Sequence, residues 1–326
     1  MIGLYWQQSD EHLRLAIKPF ASGGILPTLI PKNPNTMRTK QFFSGLIIAV
    51  LLLSLAVLFT ACDKEETPEA DNTEETSFIK EEIANEAMMD EISLLSSDAT
   101  DMAMDSLQGP HPGGPKPPHW GPCATITIVP FDTINWPKTI TVDFGPVNCL
   151  CNDGRYRRGQ IISVVSAPPH DSLSTRTVTP LNYYVSDHLI EGVRTFINQG
   201  HINGMLTLSS SLIGGKITRP NGDTATMQAQ TTRVFAAGAQ TPFPAIYDDV
   251  WLISGNRNGT MFNGMSYTMQ ITTPLEMPRA CQWIVSGVRE TQRGNHPLRI
   301  IDFGNGACDN IASLTINGNT QTIYLP

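Results

Sequence analysis

The chain has 326 residues, of which 16% are charged, 40% apolar and 7% aromatic, with 26 glycines and 24 prolines. This length suffices for one large domain or two ordinary ones. The net charge of −8 argues against a nucleic-acid-binding protein, which normally carries a basic face. Low charge with abundant glycine and proline favours a β-rich extracytoplasmic protein over a helical enzyme.

The charge is concentrated in one segment. Residues 1–61 carry a net charge of +3, residues 62–105 carry −13, and residues 106–326 carry +2. We therefore interpret the acidic block as a separate segment and not as a property of the folded part.

A targeting signal is predicted at residues 37–61. A short positive stretch is followed by an uncharged apolar run at 42–59 and then by Ala61-Cys62, an order typical of a secretory signal. The alternative is a transmembrane anchor, because about 18 apolar residues can just span a bilayer. The segment LFTAC, which ends at Cys62, resembles a bacterial lipobox and predicts that Cys62 is lipidated and becomes the mature N-terminus. Residues 1–36 are then an over-extended gene start.

Residues 62–122 are predicted to form an acidic tether, one short helix and a proline-rich spacer. Residues 63–77 are acidic and polar, which predicts disorder. Apolar residues recur at helical spacing between Phe78 and Leu95, which predicts a helix. A solvated helix is the favoured interpretation, and a helix docked on the core is the alternative.

Residues 123–326 are predicted to form an all-β domain of about 12–15 antiparallel strands. Short β-branched runs are separated by glycine, proline and asparagine, and the six Asn-Gly pairs are typical of hairpin turns. A chain of hairpins this long hides its edges by closing into a barrel or by splitting into a sandwich, and both alternatives remain open.

The module Cys–strand–turn–strand–Asp-Phe-Gly–loop–Cys occurs at both ends of this domain. In an exported protein such cysteines are expected to oxidise, which predicts the disulfides Cys123–Cys149 and Cys281–Cys308. Cys151 competes with Cys149 for Cys123, so the first pairing has an alternative.

Two similar segments, 184–205 and 247–265, lie between the modules, so the order is A–B–B′–A′. This order predicts that the termini of the domain lie side by side. Asp143 and Asp302 of the Asp-Phe-Gly triplets are interpreted as turn caps. Convergence of these two carboxylates in the fold is the alternative.

No catalytic motif is recognisable, because the chain lacks His-Glu-x-x-His, Gly-x-Ser-x-Gly and a phosphate loop. We therefore expect no catalytic residue, no metal and no cofactor. Alternation places Arg155 and Arg157 on one strand face, which makes them possible contacts for an acidic glycan or phosphate. The alternative is a solvated start of a strand.

Two motifs, VNCLCNDGRYRRG at 147–159 and GNGACDN at 304–310, resemble signatures of surface lipoproteins of Bacteroidota. The resemblance covers residues 120–326 and implies no particular activity. With the lipobox, it implies an outer-membrane lipoprotein exposed at the cell surface, and a periplasm-facing protein is the alternative.

Asp-Ser/Thr triplets followed by a small or aliphatic residue resemble the O-glycosylation sequon of exported proteins in the same group. The predicted acceptors are Ser106, Thr133, Ser172 and Thr224. Chance occurrence in polar turns is the alternative.

The sequence therefore predicts a lipid-anchored protein with a non-catalytic β-domain. This domain binds a glycan or protein partner or takes part in an envelope assembly, attaches to the membrane through its lipid, and does not bind nucleic acid. The alternative is a glycan-acting hydrolase whose carboxylates converge only in the fold, about 5–10 Å apart in a cleft.

Overall fold

The computed structural model describes residues 69–107, 120–241 and 246–326. Every described residue belongs to one compact unit, which lies within residues 67–326. The predicted signal and Cys62 lie outside the described residues. No helix among the described residues combines the length and apolar character needed to cross a membrane.

One helix is followed by fourteen strands in the described part of the chain. Helix α1 spans Glu69–Leu107. The strands are β1 (Thr125–Val129), β2 (Lys138–Asp143), β3 (Cys149–Leu150), β4 (Tyr156–Val165), β5 (Thr175–Val185), β6 (His188–Ile202), β7 (Met205–Thr218), β8 (Thr224–Ala237), β9 (Val250–Thr260), β10 (Ser266–Pro278), β11 (Ser286–Arg293), β12 (Arg299–Asn305), β13 (Ile311–Ile316) and β14 (Asn319–Tyr324). Short 3₁₀ turns lie at Gly121–Cys123 and Ile246–Asp248. The predicted all-β class and strand number are confirmed.

All fourteen strands belong to one antiparallel sheet. The spatial order is β1-β2-β4-β5-β6-β7-β8-β9-β10-β11-β12-β13-β14, and β3 pairs with β4. Except around β3, each strand therefore pairs with its neighbours in sequence, as hairpin connections require. Strands β1 and β14 are the two edges, so the sheet is open and does not close into a barrel.

Three inward-facing glycines lie where a side chain would collide with the backbone of a neighbouring strand. Gly192, Gly255 and Gly287 have φ angles of 125°, 124° and 105°, a region that side-chain-bearing residues rarely adopt. A Cβ atom on each would lie within 2.8 Å of a backbone atom of an adjacent strand. Ladder irregularities occur at or beside all three glycines, and such bulges bend a sheet.

Helix α1 packs against the inner face of this bent sheet. Toward its C-terminal end, Ile92, Leu95 and Ala99 share a core cluster with strands β1 to β8. Toward its N-terminal end, Phe78 and Ile79 share a second cluster with strands β9, β10 and β12 to β14. Because both halves of the sheet contact one helix, the sheet curves around the helix.

The favoured interpretation of a short solvated helix is therefore wrong, and so is disorder over residues 69–77. Helix α1 is 39 residues long, and Ile79 and Leu95 are fully buried in it. The prediction failed because apolar periodicity alone was considered, whereas acidic side chains also face the sheet. From Glu69 onward, the acidic block is consequently part of the folded unit.

The two predicted disulfides are present in the structure. Cys123 pairs with Cys149 and Cys281 pairs with Cys308, at Cα–Cα distances of 5.6 and 5.8 Å. Cys151 is a buried free thiol, so Cys149 is the partner of Cys123. Burial raises the pKa of the Cys151 thiol, which disfavours the reactive thiolate.

The two Asp-Phe-Gly triplets make the same local hydrogen bond in different settings. Asp143 accepts a hydrogen bond from the backbone N–H of Gly145 at 2.8 Å, and Asp302 accepts one from Gly304 at 2.9 Å. The intervening phenylalanines are buried in the core. Asp143 caps the turn that follows β2, as predicted, whereas Asp302 and Gly304 lie inside β12, which continues to Asn305.

The Asn-Gly pairs behave in two ways. Asn203-Gly204 and Asn317-Gly318 have positive φ at both positions and form tight hairpin turns. Asn258-Gly259 instead lies inside β9, so its prediction as a turn is wrong. A Cβ atom at Gly259 would lie 1.9 Å from the carbonyl oxygen of Thr226, which explains why glycine is needed there without a turn.

Candidate functional site

One face of helix α1 carries a row of acids. Glu75, Glu82, Glu86 and Asp90 follow one another at intervals of seven, four and four residues, which places them on the same side of a helix. Glu75 and Glu82 are 2% and 0% exposed. Like charges at i and i+4 destabilise an isolated helix, so this face requires cations from elsewhere.

The sheet supplies these cations through a repeated Gly-x-Arg tripeptide. Arg194, Arg257 and Arg289 each stand two residues after one of the three inward glycines. Residues i and i+2 of a strand share a face, so the arginines point toward the helix as well. All three are at most 5% exposed.

The acids and arginines interleave along the helix. Asp90 bridges two strands, because one carboxylate oxygen lies 2.7 Å from Nη2 of Arg194 and the other accepts a hydrogen bond from Arg257 at 2.8 Å. Glu86 pairs with Arg289 and lies 3.8 Å from Arg257. The middle of the helix is thus attached to β6, β9 and β11 through charged side chains.

The N-terminal part of the helix repeats this arrangement. Glu75 pairs with Arg299 and lies 3.0 Å from Nη2 of Arg293. Nδ1 of His296 lies 3.0 Å from the same carboxylate. Arg293 and Arg299 are 2% and 0% exposed, so Glu75 is their counter-charge within the protein interior.

Glu91 engages both arginines that were predicted as ligand contacts. Arg157 donates to Glu91 through Nε at 2.8 Å, and Arg155 pairs with the other carboxylate oxygen. The hydroxyl of Tyr183 also donates to Glu91, at 2.9 Å. Arg157 additionally forms two hydrogen bonds with Asp153.

Both arginines therefore pair with the chain's own helix. For the buried Arg157 this partner replaces the predicted external ligand, whereas Arg155, whose side chain is 46% exposed, stays a predicted ligand contact. The alternative of a solvated strand start is also wrong for Arg157, which is 1% exposed. The predicted shared face is nevertheless correct, since both side chains reach one carboxylate. The prediction missed their true partner because Glu91 is more than 60 residues away in sequence.

The pKa values of the acids differ according to how many arginines they contact. Burial raises the pKa of Asp90, but Arg257 and Arg194 outweigh it and hold that pKa well below its ordinary value. At Glu82, burial dominates over the nearby Arg289, and the neighbouring Glu86 adds to it, so the pKa rises to about 7. The charge of Glu82 is therefore less well compensated than that of Asp90.

A second acidic group lies near the C-terminal end of the helix. Partial burial raises the pKa of Asp101 to about 6 and that of Asp249 to about 6. Arg279 pairs with Asp98, and its backbone N–H donates to the carbonyl of Asp249 at 2.8 Å. This group is the candidate carboxylate pair for the hydrolase alternative.

The outer face of β8 to β11 carries two rows of polar side chains in register, which we call the outer amide rows. Each row crosses four strands, and its members are exposed or half-buried. The first row is Gln228, Asn258, Thr268 and Gln292, and the second row is Gln230, Asn256, Gln270 and Glu290. They alternate with the inward residues that contact the helix.

A concavity of about 320 Å³ lies over these rows. Six of the eight row residues line it, and the exposed Leu298 forms part of its wall. A shallow site lined with amides can exchange hydrogen bonds with a polar ligand, because an amide both donates and accepts.

The four predicted O-glycosylation residues are all exposed. They are Ser106, Thr133, Ser172 and Thr224. The hydroxyl of Ser106 donates to the carbonyl of Ala103 at 2.7 Å within helix α1. Their modification stays a prediction.

The charged helix–sheet interface was missed in the sequence, although two signals for it are present. One is the acidic spacing of seven, four and four residues, and the other is Gly-x-Arg at 192–194, 255–257 and 287–289. Each signal alone is ordinary, and only their complementarity indicates an interface.

Comparison with known proteins gives no relative from which a function can be transferred. No family model, no curated protein and no solved structure matches this chain. The function is therefore argued from geometry.

Replacing Asp90 with Asn tests the charged interface. The variant keeps the size of the side chain but leaves Arg194 without an acid within ion-pair distance in the described part of the chain. Removing one partner of a buried pair costs about 3–5 kcal/mol, so urea unfolding should show a loss of this size. The control Glu81→Gln removes a charge whose side chain is 34% exposed, and its loss should be about 0–1 kcal/mol. Equal losses in the two variants would contradict the interface argument.

Replacing Glu82 with Gln tests the pH dependence of stability. A carboxyl whose pKa rises from 4.5 to about 7 on folding favours the folded state at low pH, and this advantage is lost as pH rises through 7. Relative to the wild type, Glu82→Gln should therefore gain up to roughly 3 kcal/mol in unfolding free energy between pH 5 and pH 8. Urea unfolding at both pH values measures this, with Glu81→Gln as control. A difference that is the same at pH 5 and pH 8 would show that the wrong group was assigned.

Proposed function

We propose that this chain is an outer-membrane lipoprotein, displayed at the cell surface, whose folded unit binds a glycan or protein partner without converting it. Participation in an envelope assembly is one form of such binding. The observation that carries the proposal is the occupation of the inner sheet face by helix α1. Because the inward Arg194, Arg257 and Arg289 already have carboxylate partners on helix α1, binding is assigned to the outer surface.

The lipid anchor in this proposal rests on the signal that ends at Cys62. The helix begins at Glu69, with only six residues between it and Cys62 in the sequence. Several acyl chains attached to Cys62 would hold the protein permanently at a membrane, since each buried CH₂ contributes ~0.8 kcal/mol.

Labelling with a fatty-acid analogue tests the anchor. We expect label on the wild type and none on Cys62→Ala, because the thiol is the acylation site. The matched control Cys151→Ala removes a buried free thiol and should keep both label and membrane association. Label and membrane association that persist in Cys62→Ala would exclude Cys62 as the anchor.

A glycan-acting hydrolase is the second candidate, and the raised pKa values of Asp101 and Asp249 favour it. A carboxyl that titrates near pH 6 can act as a general acid near neutral pH. Glycoside hydrolysis requires one protonated carboxyl group as general acid and one ionised carboxylate as base or nucleophile, and two such groups could supply these roles.

An activity screen separates the two candidates. The full chain in detergent is incubated with chromogenic glycosides and soluble polysaccharides, and released sugar is measured. Binding without release of sugar is expected. Turnover that disappears in both Asp101→Asn and Asp249→Asn, but persists in the control variant Asp302→Asn, would establish the hydrolase instead.

A further inference from the structure

We propose that the outer amide rows of β8 to β11 bind a neutral polysaccharide chain. This inference rests on the proposed binding function and assigns its site and ligand class. It is carried by the registered array of hydrogen-bonding side chains and by the concavity over it.

The chemistry of the rows matches sugar hydroxyls. A hydroxyl donates one hydrogen bond and accepts others, and an Asn or Gln amide does the same through two separate atoms. Glu290 is the single charged residue in the rows, and as an acceptor it suits the O–H donors of a sugar. An anionic polysaccharide would be repelled by this carboxylate, and the rows contain no cationic side chain that could offset the repulsion.

The dimensions of the rows suit an extended chain. Neighbouring strands are ~4.8 Å apart, so four residues in one row span about 14 Å. The two rows are about 7 Å apart, because i and i+2 residues of a strand are separated by two rises. Consecutive sugar rings laid across the strands would therefore meet a polar side chain at each strand.

Several row members have side chains free for a ligand. Among the described residues, no hydrogen bond is found for the side chains of Asn256, Asn258 and Glu290. The side-chain amide of Gln270, in contrast, donates to the carbonyls of Gly255 and Ile271. Leu298 is 41% exposed at the wall of the concavity and offers an apolar contact for the C–H face of a sugar.

A protein partner fits this surface less well. Strands β8 to β11 are internal to the sheet, so their backbone groups are already paired and cannot accept an added strand. Protein interfaces also depend on a buried aromatic or arginine anchor, and the amide rows contain neither.

Affinity electrophoresis tests the site. The full chain in detergent is run through native gels that contain a soluble mannan, a soluble glucan or polygalacturonate, and retardation gives the affinity. The double variant Asn256→Ala/Gln270→Ala should bind the retarding neutral polysaccharide about thirtyfold more weakly, which corresponds to about 2 kcal/mol for the loss of two neutral hydrogen bonds. The control Ser313→Ala/Thr322→Ala alters an exposed cross-strand pair on β13 and β14 and should bind like the wild type.

The isosteric variant Glu290→Gln tests the same site even if the double variant fails to fold. It also removes the one charge in the rows and so shows whether the charge of the ligand matters. It should weaken retardation by the neutral polysaccharide and leave the thermal midpoint unchanged. The neutral ligand class would be overturned if the wild type bound polygalacturonate more strongly than either neutral polysaccharide and Glu290→Gln increased that binding further.

The remaining outcomes separate this inference from the function on which it rests. Equal retardation of wild type and double variant by a neutral polysaccharide would overturn the site while the proposed binding function stands. Absence of retardation in all three gels would overturn the inference. The proposed function itself fails on a different result, namely turnover in the activity screen.

Discussion

A row of carboxylates on helix α1, buried against arginines of the sheet, determines how the rest of the unit is built. Burying charge is costly, and matched ion pairs often do no better than apolar side chains of similar volume. What such pairs provide here is register. Asp90 meets Arg194 and Arg257 together, so one carboxylate fixes where the helix lies relative to β6 and β9. The apolar clusters near each end of the helix supply the non-directional part of the packing.

Sheet curvature and inward charge come from the same short segments. In each Gly-x-Arg tripeptide, the glycine permits a close strand approach and the arginine two residues later faces the helix. Gly192 and Gly255 occupy equivalent positions in the two similar middle segments, and their arginines bind the same aspartate. The two similar segments of the sequence therefore supply one arginine each, from β6 and from β9, to the same aspartate of the helix.

The alternation of a strand links this interior to the proposed binding surface. In β9, Arg257 points inward to Asp90, whereas its neighbours Asn256 and Asn258 point outward into the concavity. A register change that exposed Arg257 would bury both asparagines. The register of β9 thus determines both the ion pair in the interior and the side chains that the outer amide rows present. Because helix α1 covers the inner face of the sheet, the side chains that can contact a ligand are those of the outer face.

The sequence by itself determined the all-β class, the approximate strand number, a helix before the sheet and the disulfide Cys281–Cys308, because local patterning and matched cysteine spacing carry these features. The choice of Cys149 over Cys151 as partner of Cys123 needed the tertiary structure. It also placed Arg155 and Arg157 on one face. Only the tertiary structure decided that the helix is 39 residues long and buried, and that Glu91 receives both arginines. Local periodicity describes one element at a time, and an acidic helix reads as solvated until its cationic partners are known. Those partners lie between about 60 and 220 residues away, and only the order and curvature of the strands bring them to the helix.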